Sequence, residues 1–129
     1  MPLFDRHLAQ AERNEEFYNS LDIRTTEFLD WAIAALFYSA LHYTDAYLAA
    51  SMQQADSHPR SHTQRGLWIA RMPELNQIWA EYQELKSSSE DARYELIDFT
   101  PQQVSNIYNL RFRAVKEHIR NLLNLPSFP

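Results

Sequence analysis

The sequence predicts an all-α fold: an up-and-down helical bundle of four to five helices around a long apolar second helix, in one domain spanning residues 1–129. Three observations predict it. Gly66 is the only glycine in 129 residues, whereas sheets joined by hairpin turns usually draw on glycine. From Phe28 to Ala50 apolar side chains occur all around the helical wheel, as expected of a helix at the centre of a bundle or in a membrane. Helix-start signatures recur at Thr25 or Thr26, at Ser61 and at Thr100.

The first helix is expected over residues 3–20, with Leu3, Leu8, Ala11 and Phe17 loosely on one face and charge over the rest. The second is expected at roughly 26–52, capped by Thr25 or Thr26, with Glu27 and Asp30 favourable in its first turn. Asp30, His42 and Asp45 interrupt its apolar run. A membrane span needs about 20 mostly apolar residues, so the helix reads as a bundle centre with no membrane role. A polar loop, ADSHPRSH, follows. Ser61 with Gln64 forms an S-x-x-Q capping box that opens a third helix to Arg71, where Pro73 breaks it. Helix is expected again from about Pro73 to Lys86, on the spacing of Leu75, Ile78, Trp79, Tyr82 and Leu85. The serine run 87–89 then reads as an interruption, and EDARYEL as a short piece capped by Ser89. Finally Thr100, Pro101 and Gln103 combine a cap, proline at the first helical position and glutamine at the third, opening a helix to about Asn124.

Composition excludes several function classes. With no cysteine there is neither a disulfide nor a thiolate metal site. One glycine cannot build a P-loop or a dinucleotide-binding fingerprint. The mixed, charged N-terminus lacks the apolar stretch of a signal peptide, so a cytoplasmic protein is expected. Net charge is −5, unlike the basic domain of a dedicated duplex-DNA binder. Charge is unevenly spread, however. Residues 1–30 are acidic. Residues 58–71 carry Arg60, Arg65 and Arg71 with His58 and His62 and no acid, and residues 101–125 carry Arg111, Arg113, Lys116 and Arg120 against Glu117 alone. These stretches read either as solvated helix surface or as an anion-binding face.

Three constellations could carry chemistry. Tyr38, His42 and Asp45, at offsets of four and three, share a face of the second helix. They read as a polar core seam, or as an Asp–His pair that fixes an imidazole tautomer for a general base. His58 and His62 have the spacing of two ligands on a helical turn, but Pro59 and the Ser61 cap put His58 outside the helix, and no histidine has a glutamate three residues before it. Neither a metal nor another cofactor is expected. Arg113 and His118 stand five apart. On an ideal helix they point about 140° from each other, so only copies related by a two-fold axis would bring them together. An arginine holding phosphate and a histidine moving a proton suit ribonuclease chemistry, while two solvated side chains of a basic helix explain the spacing equally well.

DWAIAALFYSALHYTDAYLAA resembles the long second helix of HEPN domains. HPRSHTQR, YQELKSSSEDARYEL with its Arg93–Tyr94 pair, and the helix from Thr100 resemble the segments that follow, over roughly residues 25–123. The resemblance implies a helical bundle that forms a homodimer, and a toxin–antitoxin or defence setting. It also implies either a metal-independent ribonuclease with an R-x4–6-H motif at the dimer interface, or a binding module beside a nucleotidyltransferase-type partner. The motif's arginine falls most naturally on Arg93, but Asp98 stands where the histidine belongs. The expected function is therefore a non-catalytic module binding RNA, a nucleotide or a partner protein. Its candidate contacts are His58, Arg60, His62 and Arg65 with Arg93 and Tyr94 beside them. An ion pair of Arg93 with Asp45 or with a carboxylate of the first helix is the competing reading for that arginine. The alternatives are a ribonuclease using Arg113 and His118 and a purely structural interaction bundle.

Overall fold

The computed structural model describes residues 3–51, Pro59 and residues 61–125. The helices are α1 (Leu3–Ser20), α2 (Leu29–Ser51), α3 (His62–Arg71), α4 (Trp79–Arg93), α5 (Pro101–Ile107) and α6 (Arg113–Leu122). A π-helical turn, Tyr108–Phe112, joins α5 to α6 in one continuous rod, so five rods make the bundle. No strand occurs among the described residues. No helix of the described residues is long and apolar enough to cross a membrane.

The long rods run up and down. Ala11 and His7 of α1 meet Ser39 and His42 of α2 in antiparallel register. Glu84 of α4 and Gln77 of the 3-10 turn just before it meet Arg111 and His118 of the last rod in the same sense. The helix α2 packs against α1, α4, α5 and α6, and along its length only Trp31, Ala50 and Ser51 are exposed. Its all-round apolar wheel thus has the physical cause expected of it: neighbours surround it. Tyr43, Tyr82, Phe37 and Phe112 are the largest fully buried side chains, so aromatic bulk fills the core.

The start of α2 differs from expectation. It begins at Leu29, not at Thr25 or Thr26. The Asp22 side chain accepts from the Arg24 amide (3.0 Å), and the Asp22 carbonyl accepts from Thr25 and Thr26. That turn takes up the amides a helix would use, and the Thr26 hydroxyl then accepts from Phe28 (3.1 Å). Asp30 remains in the first turn while Glu27 stays outside. The caps at Ser61 and Thr100 form as expected, the second as a full capping box.

A second difference lies in α4. Helix continues through Ser87–Ser89 to Arg93, so the serines neither interrupt it nor supply a cap. Serine costs a helix interior only about 0.5 kcal/mol relative to alanine. Ile78, Tyr82, Leu85, Ser89 and Ala92 form one buried stripe, and its burial outweighs that cost. Ser89 is fully buried, and its hydroxyl has no partner among the described residues.

With glycine absent here, α4 ends on an unusual residue. Leu96 takes φ 54°, the left-handed position at which a helix stop usually places glycine, and the Ile97 amide reaches back to the Asp91 carbonyl (3.1 Å). The last rod ends in the same way on Asn124 (φ 58°), a residue that tolerates this conformation better. Leu96 is 81% exposed, so its side chain contributes little packing. Leu96→Gly is expected to raise stability by about 1 kcal/mol through relief of left-handed strain, read as a higher urea midpoint with an unchanged slope; a lower midpoint would count against strain at this position.

Candidate functional site

The polar line on α2 is matched by a different helix at each of its three positions. Tyr38 accepts a hydrogen bond from Arg93 Nη1 of α4 (3.2 Å). His42 faces His7 of α1, the two Nδ1 atoms 2.9 Å apart and the rings stacked with centroids at 5.1 Å. Asp45, 1% exposed, holds Arg65 of α3 through two parallel bonds, Nε to Oδ1 (2.8 Å) and Nη2 to Oδ2 (2.9 Å). The seam reading therefore describes this line well. Among the described residues the His42 ring is hydrogen-bonded to His7 alone, so no nucleophile is seen paired with it.

This geometry corrects two expectations about arginine. Arg65 is no surface contact for a ligand: it is buried, and its fork is spent on Asp45. The sequence did carry the signal, since Arg65 lies four residues before the buried Ile69, on the inner face of α3. Arg93 is not in an ion pair with Asp45 or with a carboxylate of α1. Its guanidinium lies over the Tyr38 ring (5.2 Å) and the Tyr94 ring (4.8 Å). Its Nε donates to the Ser89 carbonyl (3.3 Å), and its Nη1 reaches the Tyr38 and Tyr94 hydroxyls. Nη2 has no hydrogen-bond partner, and no carboxylate approaches Arg93 within ion-pair distance among the described residues.

His62 joins this corner. Its ring meets Phe37 at a tilt, with centroids 6.0 Å apart, and lies 3.3 Å from Arg65 Nη1. Burial lowers its pKa, and the nearby Arg65, Lys86 and Arg93 cations act in the same direction against the single opposing carboxylate, Glu90. Lys86 stands two turns before Arg93 on the same face of α4. His62, Arg93 and Tyr94 are thus brought together as expected, while His58 and Arg60 lie outside the described residues.

Arg113 and His118 are not brought together within the chain. Arg113 pairs with Glu117 on the exposed side of α6 (2.9 Å). His118 Nε2 donates to the Glu74 carbonyl (2.6 Å), with Gln77 beside it, and so ties α6 to the α3–α4 connection. The rest of the basic last rod is neutralised as well: Arg111 by Glu84, and Lys116 by the buried Glu15 (2.8 Å). Among the described residues no group of three histidine or carboxylate side chains is placed to hold a metal ion.

Sequence reasoning missed His7. It lies four residues before the fully buried Ala11, which already places it on the inner face of α1. A second omission is the α1–α2 groove, a surface of about 320 Å³ in which Phe17, Trp31, Tyr38 and His42 meet. Comparisons with family models, with curated proteins and with solved structures returned no match.

Two outcomes follow from the seam. Removing one partner of a buried ion pair leaves an uncompensated charge, so Asp45→Ala is expected to cost about 3–5 kcal/mol of unfolding free energy. The double change Asp45→Leu/Arg65→Met should recover most of that loss, and additive losses in denaturant titrations would contradict the pairing. The His42 pKa is lowered to about 4, by burial first and then by His7, with Asp45 opposing. An unfolded imidazole titrates near about 6.5, so between those pH values the unfolded chain binds more protons. This contribution is complete above about pH 6.5 and is lost as pH falls toward 4. Stability measured against pH should show that slope, and His42→Gln should flatten it; an unaltered slope in the variant would place the titration elsewhere.

Proposed function

We propose that this chain is a non-catalytic, HEPN-like binding module that takes a phosphate of RNA or of a nucleotide at the α3–α4 corner. One observation carries this reading: the Arg93 guanidinium lies over two tyrosine rings and, among the described residues, has Nη2 unoccupied and no carboxylate paired to it. An arginine whose role is structural is normally neutralised, as Arg65 is. A guanidinium pre-oriented by stacking presents its fork to phosphate at a small entropic cost. Lys86 adds a second cation, His62 stands where it can donate to an anion, and the exposed Tyr94 offers a face to a base. Aromatic rings beside guanidinium are the usual means by which single-stranded nucleic acid is held. A non-catalytic role is supported by the contacts that take up the two alternative residues, Arg113 by the Glu117 carboxylate and His118 by the Glu74 carbonyl.

The test is fluorescence polarisation with a labelled single-stranded RNA. Arg93→Ala is expected to weaken binding at least about ten-fold, equivalent to about 1.4 kcal/mol. Arg93→Lys should recover little, because a point charge neither stacks nor forks. Two fixed cations, Arg93 and Lys86, set a shallow salt dependence, with a log–log slope of about −1.4. A bound phosphate favours protonated His62, so affinity should rise as pH falls below neutrality, and His62→Gln should remove that rise. The RNA should remain intact after long incubation. Binding indifferent to Arg93 would overturn the reading.

A further inference from the structure

The groove between α1 and α2 opens above the seam residues Tyr38 and His42, and it meets the Arg93 corner through a shared side chain. Tyr38 lines the groove with its ring and accepts from Arg93 with its hydroxyl. We propose that this groove is the base-binding part of the same site, so that a single-stranded nucleic acid lies across the α1–α2–α4 face with a phosphate on Arg93 and neighbouring bases against Trp31 and Phe17. The proposal rests on the phosphate reading of Arg93 and gives its ligand a polarity: anion at the α4 side, planar rings at the α1 side.

Five features support a nucleic acid as the occupant. Phe17 and Trp31 are 46% and 54% exposed, so two large aromatic side chains stand open to solvent beside each other in the groove. Both rings face the groove, which has a floor of two alanines and no aliphatic wall of leucine, isoleucine or valine. A lipid chain or an aliphatic helix would find flat rings and small residues there, whereas a planar base finds stacking surfaces. No charged side chain lines the groove, while the adjoining corner carries Arg93 and Lys86, so the charge pattern matches a ligand with apolar rings and a separate anion. Gln10 Nε2 donates to Asn14 Oδ1 (3.0 Å), an arrangement that leaves Gln10 Oε1 and Asn14 Nδ2 to accept from and donate to a base edge. The volume of about 320 Å³ is at the small end of ligand clefts, about 300–1,000 Å³. It suits unstacked bases of a single strand and not a paired duplex, whose bases are turned inward.

The experiment compares a fluorescein-labelled oligoadenylate with an abasic phosphodiester strand of the same length, using the full chain and variants whose helicity is checked by circular dichroism. The wild type is expected to bind the base-bearing strand at least about ten-fold more tightly than the abasic one. Trp31→Ala and Phe17→Ala should each remove about ten-fold of affinity for oligoadenylate and leave the abasic strand unchanged, and Trp31→Phe should retain most of it. Equal affinity for the two strands, or oligoadenylate binding untouched by both alanine variants while Arg93→Ala still abolishes it, would overturn the groove proposal and leave the phosphate reading standing. Binding that needs Trp31 but not Arg93 would overturn the phosphate reading instead. Failure of both strands to bind, with no response to Arg93→Ala, would overturn both and leave the aromatic face to a protein partner.

Discussion

The Asp45–Arg65 pair is the interaction on which the arrangement of the rest depends. Its two bonds at 2.8 and 2.9 Å lie in a nearly dry place, Asp45 being 1% and Arg65 7% exposed. Such a pair adds little net stability, because desolvating both charges offsets most of their attraction. Its consequence is geometric. It seats α3 on α2 at one rotation, which puts His62 over Phe37 and within the field of Arg93. It also occupies the one acid of the α2 seam. Had Asp45 paired with Arg93, that guanidinium would be neutral in effect and unavailable to an anion.

The same logic extends along α2. A helix apolar on every side can bury similar area at many rotations, so hydrophobicity alone selects its position poorly. Tyr38, His42 and Asp45 each accept a partner from a different helix, α4, α1 and α3 in turn. Rotating or sliding α2 by one residue would strand all three polar groups, and a buried unsatisfied polar group costs about 1–3 kcal/mol. The seam is thus a registration device, and the half-open side it leaves along Tyr38 and His42 is the side on which the aromatic groove lies.

What was legible in the sequence divides by range. Local signals read correctly: the span of α1, the caps at Ser61 and Thr100, and the stop before Pro73 all depend on a few neighbouring residues. Misreadings arose where distant contacts decide. Ser87–Ser89 look like a break until Ser89 is seen within the buried stripe of α4. Thr25 and Thr26 look like caps, but Asp22 captures the amides first. At the site, the polar line and Arg93 were visible, yet Arg65 appeared free because its acid lies 20 positions away. Exposure of Phe17 and Trp31 was invisible, since an aromatic at helical spacing reads as core until its neighbours are known.

Charge shows the same gap between sequence and fold, and it bears on how an acidic chain could bind an anion. Counted along the chain, the last rod is basic. In space, Arg111 meets Glu84, Arg113 meets Glu117, Lys116 meets Glu15, and the buried Arg120 bonds Tyr43. The acids of α1 and α4 consume the rod's surplus, so no broad positive field survives to draw a polyanion from a distance. At the α3–α4 corner neither Arg93 nor Lys86 is in an ion pair among the described residues, although Glu90 stands nearby. Recognition at such a site must come from short-range geometry, from stacked rings and an oriented fork, and not from long-range attraction. At a net charge of −5 the chain has little long-range attraction for a polyanion, so binding of the proposed kind calls for single short-range contacts and not for non-specific coating of a phosphate backbone.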